Sequence, residues 1–155
     1  GTWTSYDCPG MPNTRFYGIS GGNIVGYGWG LSPASPNFLY HGGRWDMLAY
    51  PGAYETYLDA VSGSTVLGHY LDAAHQYYDF IFDGITWTTL DYPSMINFPA
   101  GSADIGANSI CGTSIVGTFG DAGGRTHGFL LTIPEPASLT LLTAGTLLMA
   151  RRRRT

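Results

Sequence analysis

Gly18-Ile19-Ser20-Gly21-Gly22-Asn23-Ile24-Val25-Gly26 carries short β-branched runs on either side of a Gly-Gly turn, which is the signature of a β-hairpin. The same pattern returns 42 residues later as Ala60-Val61-Ser62-Gly63-Ser64-Thr65-Val66-Leu67-Gly68. It returns again after a further 49 as Ser109-Ile110-Cys111-Gly112-Thr113-Ser114-Ile115-Val116-Gly117. Phe38-Leu39-Tyr40, Phe80-Ile81-Phe82 and Phe129-Leu130-Leu131 keep the same two intervals. Trp3, Trp45 and Trp87, and likewise Pro9, Pro51 and Pro93, are spaced by 42 and 42. So many markers in register define an internal repeat. Seven residues are inserted in the third copy between Pro93 and Ile110, and the stretch 97–103 is the expected place.

Each unit has room for four short strands. A Trp-led strand ends near the conserved-spacing proline, a second runs into the turn at Gly21-Gly22, Gly63-Ser64 or Gly112-Thr113, and a third is centred on Ile24-Val25, Val66-Leu67 or Ile115-Val116. The Phe38–Tyr40 segment and its equivalents make the fourth, and a turn at Gly42-Gly43 or Asp83-Gly84 leads back to the next Trp. The expected fold is therefore all-β: three antiparallel four-stranded units of about 42 residues, the size of a propeller blade. The units span about 3–44, 45–86 and 87–133, within one β-repeat domain over 1–133. Three units are fewer than the ~4–8 blades of a propeller. A propeller (whole, truncated or completed by oligomerisation) is the expected architecture, and a threefold β-trefoil is the alternative.

The units resemble the HAF-type repeats of exported bacterial proteins. The run Gly18–Tyr27, the segment Thr126-His127-Gly128-Phe129-Leu130 and the loop Asp121-Ala122-Gly123-Gly124 carry the resemblance. The second unit departs from it, with Tyr78-Asp79 in place of His-Gly.

Composition narrows the partners. The chain has 23 Gly, 11 Tyr, 7 Phe and 4 Trp, with only 12% charged residues and no lysine. Residues 1–133 hold Arg15, Arg44 and Arg125 against ten acids, a net charge of −7. Such a surface repels nucleic acid and anionic membrane and suits neutral or cationic partners.

The tail, residues 134–155, is of another kind. Pro134-Glu135-Pro136 is followed by the uncharged run Ala137–Ala150 and then by Arg151, Arg152, Arg153 and Arg154. The prolines stop the preceding element and leave a helix free to start. Fourteen helical residues make roughly 21 Å against a ~30 Å hydrocarbon core. Snorkelling arginines and local thinning can absorb that mismatch, so 137–150 is expected as a short transmembrane helix. The basic cluster C-terminal to it puts Thr155 in the cytoplasm and 1–133 outside. In composition and order this tail resembles the PEP-CTERM sorting signal of Gram-negative bacteria. The resemblance implies recognition by an exosortase, a membrane protease, and release or transfer of the body to the cell surface. Export calls for a leader upstream of Gly1, and Trp3 already sits inside a repeat, so the chain is expected to be the C-terminal piece of a longer protein.

Candidate chemistry in the body is sparse. Cys8 and Cys111 either form a disulfide, as export permits, or are two separate thiols. Asp72 with His75 and Asp121 with His127 form candidate ligand-binding loops, set against the reading of turn-stabilising aspartates and half-exposed histidines. No zinc, calcium-loop, nucleophile-elbow or phosphate-loop motif occurs, so no metal, cofactor or catalytic set is assigned. The repeated Trp positions fit core packing. Tyr50, Tyr54, Tyr57, Tyr77, Tyr78 and Tyr92 are candidates for stacking on sugar rings. The expected function is that of an exported, non-enzymatic cell-surface or matrix protein. A glycan-binding module and an enzyme acting on surface polysaccharide are the alternatives.

Overall fold

A computed structural model describes residues 1–30, 36–92 and 103–133. The body is all-β, with eleven strands among the described residues in three antiparallel sheets. The first sheet runs in the order β1 (Asn13–Ser20), β2 (Asn23–Trp29), β3 (Asn37–His41), β4 (Arg44–Leu48). The second holds β5 (Glu55–Ser62), β6 (Thr65–Leu71), β7 (Tyr77–Phe82) and β8 (Trp87–Thr89). The third has three described strands, β9 (Ala103–Cys111), β10 (Ser114–Gly120) and β11 (Thr126–Thr132).

The repeated sequence produces repeated geometry. Ser20 pairs with Asn23 and Ser62 with Thr65 across two-residue turns. The first turn residue is Gly21, Gly63 or Gly112, with φ of 59°, 57° and 58°. Only glycine adopts that conformation without strain, as a II′ hairpin turn demands. A bulge falls at Tyr17, Asp59 and Asn108, again at intervals of 42 and 49. It bends each first strand over the second. There Gly26, Gly68 and Gly117 stand opposite Phe38, Phe80 and Phe129.

Two observations refine the sequence reading. Trp45 and Trp87 lie on the last strand of the first and second sheets, not on the first strand of the next. Periodicity sets the length of a repeat but not where a sheet begins. The Gly42-Gly43 turn pairs β4 back onto β3, with Tyr40 opposite Trp45, so the chain changes sheet after Trp45. The second concerns how the sheets are joined. β1 packs on β5 and β5 on β9, and among the described residues this close packing does not return from β9 to β1.

The core accordingly lies between sheets. Val25 and Leu39 from the first sheet meet Leu58, Val61, Val66, Phe80 and Phe82 from the second. On the opposite face of the second sheet Ala60 and Leu67 meet Ile110, Ile115 and Leu131 of the third, with Leu90 and Tyr92. Alternate residues of β6 thus serve different cores, as the two-residue period of a strand requires. Turn-to-turn hydrogen bonds lock the stack. Gly63 N–H donates to Ser20 Oγ (2.9 Å), and Gly112 N–H donates to Ser62 Oγ (2.8 Å).

Among the described residues no helix is long and apolar enough to cross a membrane. The expected span 137–150 and the rest of the tail lie outside them, as does the insertion expected over 97–103 apart from Ala103, the first residue of β9.

Candidate functional site

Between the first and second sheets, bordering their shared core at Leu48, lies an open cleft of about 740 Å³. Its lining includes Tyr17 and Tyr27 from β1 and β2, Asn37 from β3, and Tyr54, Glu55 and Tyr57 at the start of β5. The aromatics are ordered by strand register. Tyr17 and Tyr27 stack at 5.6 Å with ring planes 11° apart, and Tyr27 stacks on Trp29 at 5.1 Å. The Arg15 guanidinium sits over both Tyr27 (6.0 Å) and Trp29 (5.6 Å), a cation–π pair that fixes the ladder. Across the cleft Tyr57 stacks on His69 at 4.8 Å, and His69 in turn touches the Tyr77 ring.

Polar groups punctuate the aromatic walls. The Tyr57 hydroxyl donates to Glu55 Oε2 at 2.7 Å. That carboxylate, helped by burial, pushes the Tyr57 pKa up to about 12, so the phenol keeps its proton. His69 Nδ1 pairs with Asp59 Oδ2 at 2.7 Å. The buried Asn37 donates through Nδ2 to the Thr56 carbonyl, while its Oδ1 has no hydrogen-bond partner among the described residues. Asn37 thus ties β3 to the start of β5 from inside the sheet boundary. Flat aromatic faces with a few fixed donors and acceptors are suited to holding a neutral polyhydroxylated ring.

The residues singled out from sequence divide between this cleft and purely structural places. Tyr54 and Tyr57 line the cleft, while Tyr77 and Tyr78 are exposed on β7. Tyr50 instead packs against Tyr70 at 3.9 Å, and Tyr92 is buried with its hydroxyl on Asp79 Oδ2 (2.6 Å). Asp72 Oδ1 accepts from Ala74 N–H and Gln76 N–H, and Asp121 Oδ1 accepts from Gly123 N–H and Arg125 N–H. Both carboxylates are thus engaged by their own turns. His75 sits at the turn tip with φ of 60° and meets the Tyr54 ring edge-on at 4.4 Å. His127 lies on β11, its Nε2 3.0 Å from Asp121 Oδ2. Among the described residues no three His, Cys, Asp or Glu side chains gather as metal ligands would.

Cys8 and Cys111 are free thiols, so the disulfide reading gives way to that of two separate cysteines. Cys8 is buried against Gly28 in the first sheet, and Cys111 is exposed at the hairpin end of β9 in the third. The second sheet stands between those two.

Tyr17, Tyr27, Asn37 and Glu55 were not among the sequence candidates. The usable signal was strand alternation: Tyr27 follows Val25 by two residues on β2 and so shares its face, turned to the second sheet, with Tyr17 stacked on it, at positions where the other units carry Asp59 and His69 or Asn108 and Thr118.

No curated protein matches the chain. A family model described as the PEP-CTERM protein-sorting motif matches residues 132–154, from the last residue of β11 through Arg154. The motif implies export and processing at the membrane by an exosortase.

Proposed function

We propose that this chain is an exported, non-catalytic surface module: a β-repeat body displayed at the cell surface or in the extracellular polysaccharide matrix after its tail has been read. One observation carries the proposal, the sorting motif over 132–154, which begins at the last residue of β11. In this reading 137–150 is held in the membrane with the arginines on the cytoplasmic side, and the body is a set of HAF-type units in a partial or oligomer-completed propeller. The lining of the cleft supports a binding role over an enzymatic one. Its one described carboxylate is Glu55, engaged by Tyr57, whereas glycoside cleavage ordinarily uses two opposed carboxyl groups.

The deciding experiment places an epitope tag near Gly1 behind a signal peptide, expresses the chain in an exosortase-bearing host, and takes the intact mass of the product. A product lacking residues near or beyond Pro134, recovered outside the membrane, is the expected result. Full-length protein confined to the membrane fraction would reduce the tail to an ordinary anchor.

A second reading concerns what the body holds. The stacked tyrosines and the acidic, lysine-free surface favour a neutral glycan in the cleft. Titration with neutral oligosaccharides tests it, and a flat response across a broad panel would sink it.

A further inference from the structure

The cleft between the first and second sheets has a sign. Its described lining carries Tyr17, Tyr27, Tyr54 and Tyr57 with one carboxylate, Glu55, and no Arg, Lys or His. The body around it is acidic, at −7 over residues 1–133, and the chain has no lysine. The three arginines of the body lie off that lining. Arg44 pairs with Asp46 at 2.6 Å, Arg15 sits over Tyr27 and Trp29, and Arg125 is in the turn between β10 and β11.

Glu55 is therefore an anion with no cation paired to it among the described residues. Its Oε2 accepts from the Tyr57 hydroxyl at 2.7 Å, and its Oε1 has no hydrogen-bond partner among the described residues. The Tyr57 phenol keeps its proton, so it positions the carboxylate and adds no second negative charge. Tyr17, from the opposite wall, contributes to holding that proton, so the walls approach one another here. Tyr17, Tyr54 and Tyr57 are all exposed, which leaves ring surface beside the carboxylate open to a ligand.

Both features select the same group. A hydrogen bond from an ammonium to a carboxylate is about twice as strong as a neutral one. The faces of tyrosine rings attract cations, as the Arg15 guanidinium on Tyr27 already demonstrates at 6.0 Å. An anionic sugar meets the opposite field and is repelled by the body as a whole. A wholly neutral sugar stacks on the rings but leaves the Glu55 charge unanswered.

We propose that the cleft recognises an amino sugar: a hexosamine with a free amino group, whose ammonium sits on Glu55 against the Tyr54 and Tyr57 rings while the rest of an otherwise neutral glycan lies along the Tyr17–Tyr27 wall. This rests on the reading of the cleft as a glycan site and adds the class of sugar.

The test titrates the full chain, in detergent, with three oligosaccharides of equal length: a glucose oligomer, an N-acetylglucosamine oligomer and its fully deacetylated counterpart. Mildly acidic buffer keeps the amines charged, and moderate salt screens long-range attraction to the body. The deacetylated oligomer should bind roughly tenfold tighter than the other two. Glu55→Gln keeps an oxygen for the Tyr57 hydroxyl and removes the charge, so it should abolish that preference while binding of the glucose oligomer persists. Asp83→Asn removes the same charge away from the cleft and keeps the side-chain oxygen that accepts from Ile85 and Thr86 N–H, so it should leave the preference intact. Equal affinity for the acetylated and deacetylated oligomers would overturn the amino-sugar assignment and leave the glycan reading standing. No binding of any of the three would overturn both. Equal loss of preference in Glu55→Gln and Asp83→Asn would trace it to net charge and overturn the site, and displacement of the amino sugar by oligolysine at equal concentration of charge would overturn it in favour of a basic peptide.

Discussion

Gly68 lies directly beneath the ring of Phe80. A Cβ built on Gly68 would stand 2.7 Å from Phe80 Cζ and against the carbonyl oxygen of Tyr57. The same relationship links Gly26 to Phe38 and Gly117 to Phe129. The repeat therefore encodes a glycine so that a neighbouring backbone and a phenylalanine ring can both close over it.

It follows that Gly68→Ala should destabilise the body by about 1–3 kcal/mol or more, because the Tyr57 carbonyl belongs to the backbone of β5 and cannot swing away. Phe80→Ala, which empties a fully buried site, should cost about 3–5 kcal/mol. Urea denaturation followed by tryptophan fluorescence reads both. Equal stability of Gly68→Ala and wild type would show that the glycine is not required by packing.

Asp79 gives a pH-dependent prediction. Burial holds its carboxyl above the ordinary value of 3.8, against the opposing pull of bonds from the Tyr92 hydroxyl and the Ala107 N–H. Folded Asp79 thus binds its proton more tightly than unfolded Asp79. Its contribution is most favourable below the ordinary carboxylate range and is lost as pH rises through the raised folded value. Asp46, Asp83 and Asp121 are shifted the other way by hydrogen bonds to their ionised forms, and their contributions are lost as pH falls. The difference between wild type and Asp79→Asn isolates the one residue. Asn stands at the equivalent position of the first unit as Asn37, so the variant fits the fold. Asp79→Asn should be the more stable protein at neutral pH, with the gap closing as the solution is acidified. A gap that widens in acid would reverse the assignment.

The three-unit, all-β organisation was legible because its markers sit at constrained places. Gly63 needs positive φ, Gly68 has no room for a side chain, and Phe80 fills a core position, so each recurs. The phase of the sheets was not legible. Trp45 looks the same in sequence whether it opens one sheet or closes another, and only its pairing with Tyr40 decides. The cleft was half legible. Tyr54 and Tyr57 were visible as unexplained aromatics, but Tyr17 and Asn37 acquire a role only when β1, β3 and β5 are brought together across the sheet boundary. The sorting tail was readable outright, because its information lies in composition and order along the chain.

The tryptophans should separate by unit although they share one repeat position. Trp87 packs on Phe80 at 4.9 Å and stacks on Phe82 at 4.4 Å, inside the core between the first two sheets. Trp87→Ala should therefore cost on the order of 3 kcal/mol. Trp3→Ala, at an exposed site, should leave the stability within about 0.5 kcal/mol. Chemical denaturation followed by circular dichroism measures both effects. A large stability loss in Trp3→Ala would mean that the segment is docked on the body.

The cleft predicts a division among the tyrosines. Tyr54 and Tyr57 are exposed on its wall, whereas Tyr50 is wedged between Tyr70 and Phe80. Tyr54→Ala or Tyr57→Ala should cost roughly 0.5–1.5 kcal/mol of glycan affinity and little folding stability. Tyr50→Ala should do the reverse and lower the unfolding midpoint first. Tyr57→Phe separates stacking from hydrogen bonding: it keeps the ring on His69 and loses the bond to Glu55. Because that phenol ionises only near pH 12, its charge is constant through the physiological range, and wild-type affinity should not fall between about pH 7 and about pH 9 through Tyr57. Calorimetric titration of a neutral oligosaccharide into the four variants checks the set. If Tyr50→Ala, with its fold intact, loses as much affinity as Tyr54→Ala and Tyr57→Ala, the sugar is not in the cleft.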